Sequence, residues 1–143
     1  MSATYNTALA TAATTTAAPS AGSLLRGGAV ATVLAAAATT VLAAVGRTAG
    51  ISIAVSGVPI PIAGFAVTTA IFAVLGLLIA LVLRRFAGSP RTAWIRTTVA
   101  LTVLSWVPDV LADAGTSTKA LLMVTHLVAA AIVIPAVARR LRP

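Results

Sequence analysis

The 143-residue chain holds two carboxylate side chains (Asp109 and Asp113), one lysine (Lys119) and one histidine (His126), all within residues 108–126, PDVLADAGTSTKALLMVTH. Several chemistries are open to such a set. An Asp109–His126 contact can lock two helices in register. The same pair can carry a titrating proton, because imidazole changes charge near neutral pH. Asp109, Asp113 and His126 can be drawn as an external metal site, although their donor number is small. Ser105, His126 and an aspartate can be drawn as a hydrolytic set, but no segment offers an oxyanion hole. Haem ligation would have to rest on His126 alone. The chain has no cysteine, which removes disulfides, zinc–thiolate sites and iron–sulfur clusters. The leading expectation is a structural contact in a non-enzyme with no metal and no cofactor. A proton-linked transporter or sensor is the alternative.

These residues need elements to position them. Thr98, Thr102, Ser105, Asp109 and Asp113 recur every three or four positions, which is one stripe of a helix. Lys119, Met123, His126 and Ala130 form a matching stripe downstream. Asp109 lies thirteen residues beyond Arg96, and His126 thirteen residues before Arg139. Both separations are about 20 Å along a helix. If the two helices form an antiparallel hairpin through AGTST, Asp109 and His126 lie level, and Asp113 and Lys119 form an ion pair nearer the outer rim. Pro108 removes the hydrogen bond to the carbonyl of Leu104 and predicts a kink that Ser105 is placed to relieve. Pro135 predicts a second kink.

The surroundings are those of a membrane protein. The chain is 59% hydrophobic and 8% charged, against about 25% charged in an average soluble domain. Four apolar runs, about 27–46, 61–83, 93–112 and 120–138, predict helices, and about 20 residues suffice to cross a bilayer. The fold expected over 24–143 is therefore an all-α, up-down-up-down bundle of four transmembrane helices. Eight of the ten basic residues fall on one side if all four runs cross: Arg26, the group Arg84, Arg85, Arg91 and Arg96, and the group Arg139, Arg140 and Arg142. The positive-inside rule then places both termini in the cytoplasm of a multi-pass protein of the bacterial plasma membrane. Clustered between apolar runs, these arginines suit anionic lipid headgroups and not nucleic acid. The remaining partner classes are a second copy of the chain and a membrane partner protein.

Residues 1–23, rich in Ala and Thr, predict a disordered cytoplasmic tail. The apolar connection 47–60 predicts a segment capping the helix ends, with a re-entrant lid as the alternative. Small residues at Gly28, Thr32, Ala36, Thr40 and Ala44 predict a close-packing face on the first helix, and Gly64, Thr68 and Gly76 one on the second. Trp94 is expected as an interfacial anchor, and Trp106 as packing.

The stretches SWVPDVL and KALLMVTHLVAAAIVIPAVARRL resemble a family of small four-helix membrane proteins of actinobacteria, catalogued as a domain of unknown function. The resemblance covers most of residues 24–142. It implies the architecture above and a shared pattern at Pro108, Asp109, His126 and Pro135. It implies no activity.

Overall fold

The first helix opens at a serine. Ser20 is extended, its Oγ accepts the amide N–H of Ser23 (3.1 Å), and the Ser23 hydroxyl donates back to the Ser20 carbonyl (2.8 Å). This reciprocal cap satisfies groups that a helix end leaves open. It starts α1 at Ala21, six residues before the predicted boundary. In this computed structural model, which describes residues 20–143, α1 runs Ala21–Thr48, α2 Ile62–Phe86, α3 Pro90–Leu111 and α4 Thr116–Ala138. Residues 1–19, where most of the expected tail falls, lie outside the described residues.

Length does not separate these helices, since even the 22 residues of α3 extend about 33 Å. Composition does. α1, α2 and α4 are long and apolar enough to cross a membrane, and α3 is not. Arg96, its hydroxyl residues, Pro108 and Asp109 dilute its apolar content.

Consecutive helices pack side by side, and α4 returns to α1, closing a ring. Two apolar clusters fix the directions. Leu24 meets Leu77, Ala80, Trp94, Val137 and Leu141 at one end. Ala43, Ile53, Phe65 and Leu121 meet at the other. The chain therefore runs up, down, up, down. Large apolar side chains cover the outside: Val33 is 68% exposed, Phe72 65% and Leu104 61%. In water such a surface would aggregate; facing acyl chains it is satisfied.

The close-packing faces are rotated from those predicted. On α1 the buried positions are Leu24, Gly28, Ala31, Ala35, Thr39, Ala43 and Gly46. Thr32, Ala36, Thr40 and Ala44 sit beside that face, half-buried. On α2 the buried set is Phe65, Ala73, Leu77 and Ala80, and Thr68 is exposed. Thr39 and Thr69 join the two helices hydroxyl to hydroxyl at 3.0 Å.

The connection 49–61 contains a small antiparallel hairpin, β1 (Ala54–Val55) and β2 (Val58–Pro59). Ser56 and Gly57 both have positive φ (50° and 75°), the geometry a two-residue turn needs to match strand twist. Ile53 is buried beneath it among Ala43, Phe65 and Leu121. Thr118 Oγ1 donates to the Ser52 carbonyl, and the Ser56 amide donates to the Asp113 carbonyl (2.7 Å). The hairpin therefore rests across the ends of α1, α2 and α4 and does not enter the bundle.

Gly28 of α1 makes room for the Leu77 side chain of α2, since a Cβ there would lie 2.1 Å from Leu77 Cδ2. Gly28→Ala is expected to destabilise the protein in detergent by about 1–3 kcal/mol, and adding Leu77→Ala should recover part of that loss. Gly22→Ala, whose methyl meets only Ser20 Oγ at 3.8 Å, should leave thermal unfolding unchanged or slightly raised.

Candidate functional site

The α3 helix buries only Pro90, Trp94 and Asp109. Trp94 is 1% exposed, and its indole N–H donates to the Ile134 carbonyl of α4 (3.0 Å). It is therefore a core residue and not an interfacial anchor. Gly76 of α2 faces the Trp94 ring edge, and a Cβ there would make ordinary contact with it at 3.5 Å.

Asp109 stands two residues before the end of α3, where the open carbonyls make the helix end negative. A carboxylate there needs partners from another helix. His126 of α4 approaches it, with its Nδ1 2.9 Å from Asp109 Oδ2. Lys119 relieves the same helix end differently, because its Nζ donates to the Val110 carbonyl (2.8 Å). The expected Asp113–Lys119 ion pair is not formed. Asp113 is exposed, where an ion pair contributes little, and Lys119 instead meets the open carbonyls of the helix end.

The histidine geometry fixes a proton. Nδ1 also lies 3.0 Å from the carbonyl of Leu122, one turn back. A carbonyl can only accept, so Nδ1 carries hydrogen. That N–H is aligned on Leu122, whose oxygen also takes the Thr125 hydroxyl (2.6 Å). Asp109 Oδ2 is consequently close to Nδ1 yet receives no aligned donor. The contact is an electrostatic one beside a shared carbonyl, and a small ring rotation would redirect the proton from Leu122 to Asp109. The Asp109 side chain is 11% exposed and that of His126 38%, so the imidazole is reached from outside the contact. One turn before Asp109, the indole N–H of Trp106 is buried without an acceptor among the described residues. Unpaired buried groups are uncommon in native folds and mark sites worth testing.

Other expectations are redirected. Ser105 Oγ donates to the Thr102 carbonyl (2.7 Å), so it does not serve the Leu104 carbonyl that Pro108 frees, and it does not engage His126. Pro108 and Pro135 both lie inside continuous helices. Asp109, Asp113 and His126 form no three-ligand cluster among the described residues.

The arginines collect at the opposite end. Arg84 and Arg85 end α2, where positive charge suits the helix dipole, and Arg85 sits over the Phe86 ring (5.4 Å). Arg139 caps α4, its Nε donating to the Pro135 carbonyl (3.1 Å), and Arg140 Nη1 donates to the Ser23 carbonyl of α1 (2.8 Å). The Arg91 amide donates to the Arg142 carbonyl (3.1 Å), and Arg96 is exposed. The inward turn of Trp94, the Lys119 cap and the Leu122 contact are not legible in the sequence. All three depend on backbone carbonyls that composition does not reveal.

A family model described as a family of unknown function (DUF6069) matches residues 19–143. No curated protein matches the chain, and no solved structure does.

If Asp109 and His126 are energetically coupled, a double-mutant cycle of Asp109→Ala and His126→Ala should give an interaction of about 1 kcal/mol or more in micelles. Asp113→Asn should be near neutral, and Lys119→Met should cost about 0.5–1 kcal/mol. A cycle that closes to zero would remove the contact from the stability of the fold.

Proposed function

The chain belongs to DUF6069, a family of unknown function, and on that premise we propose a non-enzymatic role: a small membrane-embedded bundle that acts as an interaction or accessory subunit. Three helices are long and apolar enough to cross a membrane. In our reading α3 crosses with them, because it runs between two of them, α2 and α4. Arg96 reaches the headgroups along its methylene stem in this reading, and Asp109 is buried beside His126. With four crossings, the arginine asymmetry supports cytoplasmic termini in a bacterial cell. The observation that carries the structural role is the 2.9 Å approach of His126 Nδ1 to Asp109 Oδ2. An intramembrane carboxylate is too costly to leave unpaired, and here it joins α3 to α4. The partner is a second copy of the chain or another membrane protein.

A second reading is favoured by the exposure of His126 and the missing donor at Oδ2. It makes Asp109 and His126 the titrating pair of a proton-linked transporter or sensor. A single ring of four helices leaves little room for a pathway, so this reading requires an oligomer.

Two measurements test these readings. The chain has no cysteine, so single cysteines report topology without background. A maleimide that cannot cross membranes should label Ser117→Cys from outside intact cells and Gly88→Cys only after permeabilisation. Equal labelling of both sites from one side would remove the four-span arrangement. In liposomes, the accessory reading expects no proton flux from the wild type, and Asp109→Asn and His126→Gln should reduce folded yield at all pH values alike. Flux abolished by either substitution would instead establish the transport reading.

A further inference from the structure

A shallow cleft of about 560 Å³ lies along the seam between α1 and α4, at the end where the arginines collect. Three guanidinium groups rim it: Arg26 from α1, with Arg139 and Arg140 from the end of α4. Its wall is otherwise apolar, formed by Val30 and Leu34 on α1 and by Ala131 and Ile132 on α4. Leu34 lies eight residues from Arg26, and Ala131 eight from Arg139. The cleft thus continues about 12 Å below the charged rim.

From this arrangement we propose that the cleft is a binding site for one anionic phospholipid. The phosphate sits among Arg26, Arg139 and Arg140, and the upper part of one acyl chain lies along Val30, Leu34 and Ala131. Charge complementarity identifies the occupant. The chain's two carboxylate side chains, Asp109 and Asp113, lie at the far end of the bundle, so neither neutralises this rim. Each guanidinium has five N–H donors. Arg139 commits its Nε to Pro135 and Arg140 an Nη1 donor to Ser23. Arg26 forms no side-chain hydrogen bond among the described residues. Most of the donors are therefore left for an acceptor with several oxygens, and guanidinium matches phosphate in geometry as well as charge.

Arg140 is seated by two neighbours, the Ser23 carbonyl that it donates to and Gly27, where a Cβ would lie 2.9 Å from its central carbon and make the guanidinium shift. The apolar wall supplies what a soluble phosphate cannot use, and so the occupant is a lipid. The proposal depends on α1 and α4 being membrane spans; it does not depend on the role of Asp109 and His126.

The test is native mass spectrometry of the full chain from detergent, with phosphatidylglycerol and phosphatidylcholine of identical acyl chains and with glycerol phosphate as the soluble headgroup. One phosphatidylglycerol should be retained at least about tenfold more strongly than phosphatidylcholine, and glycerol phosphate should not be retained. The Arg26→Gln, Arg139→Gln double variant should lose about tenfold in that preference, as expected for two cations near one anion. The control Arg91→Gln, Arg96→Gln removes the same charge from α3 and should lose less than about twofold. Ala131→Phe keeps every charge and fills the cleft, so it too should abolish retention. Equal losses in the two double variants would reduce the effect to general surface charge and overturn the proposal. Retention in Ala131→Phe, or of glycerol phosphate as well as the lipid, would overturn it by removing the acyl contact.

Discussion

Lipid offers no hydrogen bonds, so every polar group on these helices must find its partner within the protein. Most do so locally. Thr32, Thr40, Thr98, Thr102, Ser105 and Thr125 each donate to a carbonyl three or four residues back on their own helix. Such back-bonding uses a hydroxyl's donor without joining two helices. Among the described residues, contacts between elements include the Thr39–Thr69 hydroxyl pair, the Trp94 indole, the Asp109–His126 contact, the Lys119 ammonium and the Arg140 guanidinium on Ser23. A carboxylate has no acceptable local partner near its own helix C-terminus, so Asp109 imposes the strongest demand of these.

That demand falls on the helix that most needs help. α1 and α2 close on each other through glycine and alanine, where dispersion between near backbones suffices. α3 buries too little apolar surface for the same solution. It is held to α4 by polar contacts at both ends instead: Trp94 to Ile134 at one, and Asp109 with Lys119 at the other. Fixing both ends sets its rotation and depth, which packing alone would leave loose. The connection that holds the 54–59 hairpin is tied to the α3–α4 connection and the start of α4 through Ser52 and Ser56.

Much of this was legible in residue order, for a physical reason. Helical rise is constant, so equal spacing from Arg96 and Arg139 sets residues 109 and 126 at one level without any knowledge of packing. Face assignment on α1 was not legible. Alanine and threonine occur on every side of that helix, and only Leu77 pressing on Gly28 selects the true face. The Asp113–Lys119 pairing failed because charge was compared only with charge, while the successful competitor was a backbone carbonyl. Trp94 was misplaced because an indole near an apolar run's edge has the same sequence signature whether it turns in or out. The Ser56–Gly57 turn is legible in the sequence, since a small pair between apolar neighbours is a hairpin signal.

The structural role of the α3–α4 contact rests on the state of one imidazole. The chain has a single histidine, so histidine-labelled protein in lipid gives one pair of ring ¹⁵N resonances with no assignment problem. At neutral pH, Nδ1 should show the shift and N–H coupling of a protonated nitrogen, with a through-space contact to the Asp109 carboxylate carbon. That contact should vanish in Asp109→Ala. A bare Nδ1 with the proton on Nε2 alone, or a resonance indifferent to Asp109, would contradict the geometry on which the structural role rests.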